Sequence, residues 1–175
     1  MFIGHFGVGF AAKRWAQPAS LGTLFLAAQF IDLLWPTLLL LGVERVAIAP
    51  GNTVVTPLDF EHYPFSHSLL AVAGWSALLA GASLALGKGR RVAGALAALV
   101  ISHWLLDALT HRPDLPLAPL GDARVGLGLW NSLPATLFVE MALFCVGVWL
   151  YARATRARDA TGRWALWGLV LFLLV

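Results

Sequence analysis

Long apolar runs broken by short polar segments make up most of this chain. Spanning a bilayer as a helix takes roughly 20 apolar residues. By that measure residues 20–43, 66–86, 92–110 and 129–151 read as four membrane-spanning helices. Residues 164–175 begin a fifth of about half the needed length, so it tilts, stops short, or lacks its native end. Residues 1–12 are apolar and glycine-rich but too short to span. Lys13 and Arg14 follow them, whereas a secretory signal carries its charges first, so they read as a short retained helix. The expected fold is an all-α integral membrane protein: one membrane domain over 1–175, with a short N-terminal helix and four to five transmembrane helices.

The polar segments punctuate this row. Residues 43–56, turning at Pro50-Gly51-Asn52, have the pattern of a small hairpin. The run from Asp59 to Ser68 is the most polar part of that loop, and Ser66 or Ser68 suits the cap of the next helix. Pro113 forces the end of the third span. Residues 112–128 are rich in proline and glycine, and 153–163 are basic.

Composition agrees with the pattern. The chain is 59% apolar and 12% charged, about half the charge of a soluble domain. Its mean hydropathy is +0.79 and its pI about 9.6. The basic residues sit in short clusters between apolar runs, so we expect membrane lipids and no nucleic acid as partners. A partner membrane protein or a homo-oligomer stays open. The single cysteine, Cys145, excludes a disulfide framework and a cysteine-based zinc site. Nine lysines and arginines fall on one side of the predicted membrane and three (Arg45, Arg112, Arg124) on the other. Counted this way, the N-terminal side and the basic loops are cytoplasmic.

Ionisable side chains inside spans are costly and so become functional candidates. His103 and Asp107 share one face of the third span, one turn apart. Asp32 lies in the first span and His67 at the start of the second. At 1.5 Å per residue, Asp32 and His103 each lie about 18 Å from the cytoplasmic end of their span, with Asp107 a turn further out. Four candidate ligands on three helices thus meet in the outer half of the membrane. His5, by itself an ordinary interfacial residue, joins them if the first helix enters as a half-span. Two histidines and two aspartates form a nitrogen and oxygen ligand set that suits zinc, and also manganese or iron. One ion or two would fit. Glu61 and His62, with Asp59, lie at the mouth as candidate general base and acid. Glu140 reads as a supporting or isolated protonated acid, and His111 as a mouth residue.

Four motifs carry a family resemblance: Gly4-His5, Ile31-Asp32, His62-x4-His67-Ser68-Leu69 and Ser102-His103-x3-Asp107-x-Leu109-Thr110. They resemble the YdjM-type family of inner-membrane, metal-dependent hydrolases, also described as LexA-binding. The ligand order is also similar to that of the all-helical zinc-dependent phospholipase C fold. That likeness implies one metal on Asp32, His67, His103 and Asp107, and another on His5 with Asp107 bridging. Two departures stand out. Gln29-Phe30-Ile31-Asp32 replaces a frequent Pro-Asp-x-Asp, and His62-Tyr63-Pro64 replaces a frequent His-Arg-Gly. The second removes an arginine suited to phosphate, for which Arg112 or Arg124 could substitute.

The leading expectation is a metal-dependent hydrolase of the bacterial inner membrane, acting on a lipid or amphiphilic ester or phosphoester. One competitor is a non-catalytic accessory subunit binding metal, haem or pigment through His67 and His103. Another is an ion or proton transporter using Asp32, Asp107 and Glu140.

Overall fold

A computed structural model describes all 175 residues. It is mostly helical, with two short two-stranded sheets. In chain order, α1 (Ile3–Ala12), α2 (Leu21–Ala28) and α3 (Phe30–Leu40) precede β1 (Arg45–Ile48) and β2 (Leu58–His62). Then come α4 (Pro64–His67), α5 (Leu69–Ala85) and α6 (Arg90–Thr110), β3 (Leu115–Pro116) and β4 (Arg124–Val125). A 3-10 turn at Leu129–Asn131 leads into α7 (Leu133–Ala154), and α8 (Ala160–Leu174) ends the fold.

Helix starts follow from short hydroxyl and carboxylate side chains that satisfy free N–H groups. Ser20 accepts from the Thr23 N–H at 3.0 Å, Ser68 from Ala71 at 3.3 Å and Asp159 from Gly162 at 2.7 Å. Ser68 rather than Ser66 is therefore the cap of α5, which leaves His67 on the short α4 before it.

Two helices, α6 and α7, are long and apolar enough to cross a membrane. The pair α2–α3 makes a third if taken as one span, although it bends by 55°. The remaining apolar helices, α1, α5 and α8, are shorter. The expected row of four to five spans thus reduces to two or three helices of sufficient length. Pro36 predicts loosened backbone beside Asp32, but the break falls earlier, at Gln29. The expected hairpin also forms, with a wider loop. β1 pairs antiparallel with β2, Arg45 opposite His62 and Ile48 opposite Leu58, and the turn is closed by Ala49 N–H to the Pro57 carbonyl at 2.7 Å.

The main core lies between α2, α5 and α6, with Leu24, Ile31, Val72, Leu99 and Val100 at or near zero exposure. α1 packs along α7 through small residues. A side chain on either Gly7 or Gly147 would meet the backbone of the opposite helix, so these two helices touch main chain to main chain. Such close approach is how helices gain contact in lipid, where apolar burial gives little drive. It carries the beginning of the chain into the centre of the molecule.

Candidate metal centre

α6 supplies the rigid side of the site. His103 and Asp107 are fully buried on one face, and the His103 Nε2 lies 3.1 Å from Asp107 Oδ2. The bend between α2 and α3 supplies the next part. Ala28 ends α2, and its carbonyl, an acceptor of the kind helix ends leave over, takes the Nδ1–H of His103 at 2.8 Å. That bond puts a proton on Nδ1 and turns Nε2 towards the carboxylates, without a hydrogen-bond partner of its own. Asp32, on the first turn of α3, places Oδ1 3.5 Å from the same nitrogen.

His67 arrives from α4. Its Nε2 lies 3.6 Å from Asp32 Oδ1 and 3.7 Å from Asp107 Oδ2. Its other nitrogen, Nδ1, is 2.7 Å from the Ser66 hydroxyl, which donates its single proton to Glu44 Oε2 at 2.7 Å. Nδ1 is therefore the donor, and Nε2 again faces the carboxylates. Glu44 is buried and also accepts the N–H groups of Phe65 and Ser66 at 2.9 and 2.8 Å.

With both imidazoles neutral, four acceptor atoms face one another around a ring with edges of 3.1, 3.5, 3.6 and 3.7 Å. Ligands held 2.0–2.1 Å from a zinc ion at tetrahedral angles lie about 3.3 Å apart. Lone pairs turned on lone pairs at this spacing repel unless positive charge lies between them. A divalent cation supplies it, and so would extra protons on the imidazoles. His5 lies beside the ring. It stacks on His103 with centroids 3.8 Å apart and planes 5° off parallel, and its Nε2 is 3.2 Å from Asp107 Oδ1. The main-chain nitrogen of Met1 reaches the same oxygen at 2.6 Å. Asp107 therefore points one oxygen at His103 and His67 and the other at His5, as a bridging carboxylate would.

All five residues expected to bind metal, His5, Asp32, His67, His103 and Asp107, are brought together. His5, His103 and Asp107 form one group whose ligand atoms lie within 4.8 Å of one another, and Asp32, His67 and His103 form a second. Glu61 and His62 are not brought there. Strand residues alternate sides. In β2 Phe60 faces inward, and Glu61 is exposed. His62 ends the strand and lines a separate cavity with Pro116 and Arg124. Glu140 is buried in α7 and accepts the N–H groups of Phe2 and Gly4 at 2.8 and 2.7 Å, which ties down the start of α1.

A cavity of about 430 Å³ opens over the ring. Asp32, His67 and Asp107 form its floor, and Trp35, Phe60 and Trp130 stand in its walls. His111 also lines it; it is buried and packs on Trp130 at 4.4 Å. Its Nδ1–H donates to Asp114 Oδ1 at 3.0 Å, and the Tyr63 hydroxyl donates to the same oxygen at 3.2 Å. Burial pushes the His111 pKa below its ordinary value, against the opposing pull of Asp114. Asp114 itself stays below the usual carboxylate range: burial would raise it, but the hydrogen bond from His111 and the charge of Arg112 win. Burial also raises the Tyr63 phenol, and the Asp114 charge adds to it.

The whole sequence, residues 1–175, matches the family described as YdjM inner membrane protein. The chain belongs to the YdjM inner membrane protein family. It is accordingly an inner membrane protein. No curated protein matches, nor does any solved structure. Three participants at this YdjM-family site carry no clear sequence signal. Glu44 binds through main-chain groups 21 and 22 residues away. Ser66 has only its place beside His67, and Asp114 only its i, i+3 spacing from His111.

Proposed function

We propose that this YdjM-family protein is a membrane-embedded, metal-dependent hydrolase acting on a lipid or amphiphilic ester. One observation carries the reading: the four lone-pair atoms of Asp32, His67, His103 and Asp107 face one another at 3.1 to 3.7 Å under an apolar-walled cavity. Zinc fits the donor set best, with manganese or iron next. A divalent ion held there supplies Lewis acidity and makes hydroxide available near neutral pH.

The chain's own residues supply the rest. His67 and His103 are held in their ligating tautomers by Ser66 and by the Ala28 carbonyl. Trp35, Phe60 and Trp130 hold the apolar part of the substrate and keep bulk water out. His111, locked by Asp114, is the group placed to take and return a proton in the cavity, the role expected of Glu61 and His62. Its lowered pKa keeps it neutral and basic at physiological pH. The cavity lining contains no lysine or arginine. Arg112 is taken up by Asp59 and Asp114, and Arg124 by the Asp114 carbonyl. Neither substitutes for the missing phosphate-binding arginine, so a carboxylic ester fits better than an anionic phosphoester.

Charge counting supports cytoplasmic basic loops, with this site in the outer half of a multi-pass chain. The test is elemental analysis of the purified protein, followed by assay on neutral lipid esters. The expected result is one or two divalent ions per chain, lost in His103→Ala and Asp107→Ala together with hydrolysis. Protein that stays metal-free after growth with added zinc, manganese and iron would overturn the reading. A haem absorption band would favour the accessory-subunit alternative.

A further inference from the structure

A second cavity lies at the opposite end of α1 and α6 and has the opposite character. It encloses about 670 Å³. Val8, Ala11 and Ala12 of α1 line one side, and Ala95, Ala98 and Leu99 of α6 the other. Its inner end is Ser102, whose hydroxyl is already bonded to the Leu99 carbonyl at 2.8 Å, so it offers no free donor. Its outer end is framed by Arg14, Arg91 and Trp15. Both arginines are exposed, and neither makes an ion pair or a side-chain hydrogen bond. No carboxylate lines the groove.

We propose that this groove binds one anionic phospholipid. Three features select that occupant over an ordinary lipid or a packed helix. From Arg91 to Ser102 the groove runs eleven residues along α6, about 16 Å at 1.5 Å per residue. That is close to half of a ~30 Å hydrocarbon core, the depth of one leaflet. Its walls are small apolar side chains, which leave room for an acyl chain. Two unpaired guanidinium groups from two different elements stand at one end only, where a phosphodiester headgroup would lie, and arginine is the residue that matches phosphate geometry. Trp15, 69% exposed beside them, suits the headgroup level of the bilayer. The two cavities thus differ in their side-chain charge: carboxylates and no lysine or arginine at the metal centre, arginines and no carboxylate here. The assignment does not depend on the hydrolase reading.

The experiment is native mass spectrometry of the full chain in a neutral detergent, titrated with dioleoyl phosphatidylglycerol and separately with dioleoyl phosphatidylcholine. The expected result is one retained phosphatidylglycerol per chain, bound more tightly than phosphatidylcholine. Arg14→Gln and Arg91→Gln should each cost about fivefold, and the double variant about 25-fold, from the typical contribution of a basic residue to anionic lipid binding. Ala98→Leu, which fills the groove, should weaken both lipids. Arg90→Gln, at the same helix end but outside the groove, should change nothing. An Arg90→Gln loss equal to that of Arg91→Gln would mean a diffuse positive surface and overturn the proposal. Unchanged binding in Ala98→Leu would overturn it as well, as would a two-chain mass without lipid, since a second copy would then fill the groove.

Discussion

A histidine ligates through one nitrogen and is governed through the other. For His103 the governing partner is the Ala28 carbonyl, and for His67 it is Ser66 backed by Glu44. Such supporting bonds typically change metal affinity by 10–100-fold. Glu44→Gln and Ser66→Ala are therefore expected to weaken metal binding by about that factor, measured by competition with a chromophoric chelator, while Glu61→Gln leaves it unchanged. Equal affinities across all three variants would show that the relay has no role. At the other nitrogen-bearing position, His111→Gln should lower kcat by about a hundredfold or more with metal content intact, and His62→Gln should not. Of the five residues that converge, Asp32, His103 and Asp107 were legible because each stood in an apolar stretch that made it conspicuous, whereas His67, in the polar run, and His5, near the start, were joined to them by depth and motif. Glu44 was not legible, because a carboxylate in a loop is ordinary until its main-chain partners are known. Glu61 and His62 looked better than His111 only because they stood in the most polar run.

Helix placement is decided by small contacts more than by apolar content. The backbone contact between Gly7 and Gly147 sets how closely α1 lies on α7. Gly147→Val must push the helices apart, and overpacking of this kind costs about 1–3 kcal/mol. The expected outcome is a loss of several degrees in the thermal midpoint, together with reduced protection of α1 in hydrogen exchange; an unchanged midpoint would contradict the close packing. The loop around His111 and Asp114 answers to pH. The His111 pKa is held below its ordinary 6.5 in the folded protein, so the unfolded chain takes up the proton first. Its contribution is complete above pH 6.5 and is lost as pH falls towards the folded value. That of Asp114 is lost only below its ordinary 3.8. The protection factors of residues 111–128, taken relative to intrinsic exchange at each pH, should therefore fall between pH 7.5 and 5, and protection that rises in acid would refute the assignment. The sequence located α6 to within two residues, since proline and charge bound it on both sides. It joined α2 to α3, because no glycine or proline marks a break in the Phe25–Leu33 run; the bend falls at Gln29, where the Ala28 carbonyl takes His103 of α6.

As a whole, the molecule is two unequal polar features in an apolar body: a buried ring of ligands and a layer of loops above it. If the ring holds a divalent ion, that ion stabilises the fold by mass action, by about 4 kcal/mol at a free concentration a thousand times its Kd. Stripping metal with a chelator should lower the thermal midpoint, added zinc should restore it, and His103→Ala should respond to neither. A chelator effect that persists in His103→Ala would place the ion elsewhere. Membrane character could be read from charge and hydropathy, which act along the whole chain. The number of full-length spans could not, because α5 is apolar enough to resemble a span but too short, and the α2–α3 stretch is bent by 55°.

The docking of α1 also bears on how the molecule is made. Its first residues are held by Glu140, more than 130 positions later. At 5–20 residues per second, that partner leaves the ribosome about 7–27 seconds after Gly4. Through this interval α1 has α2 and then α6 to pack against, but its first N–H groups lack their Glu140 acceptor. The anchoring of the His5 side of the centre is therefore completed only after α7 has been made, later than the α5–α6 pair.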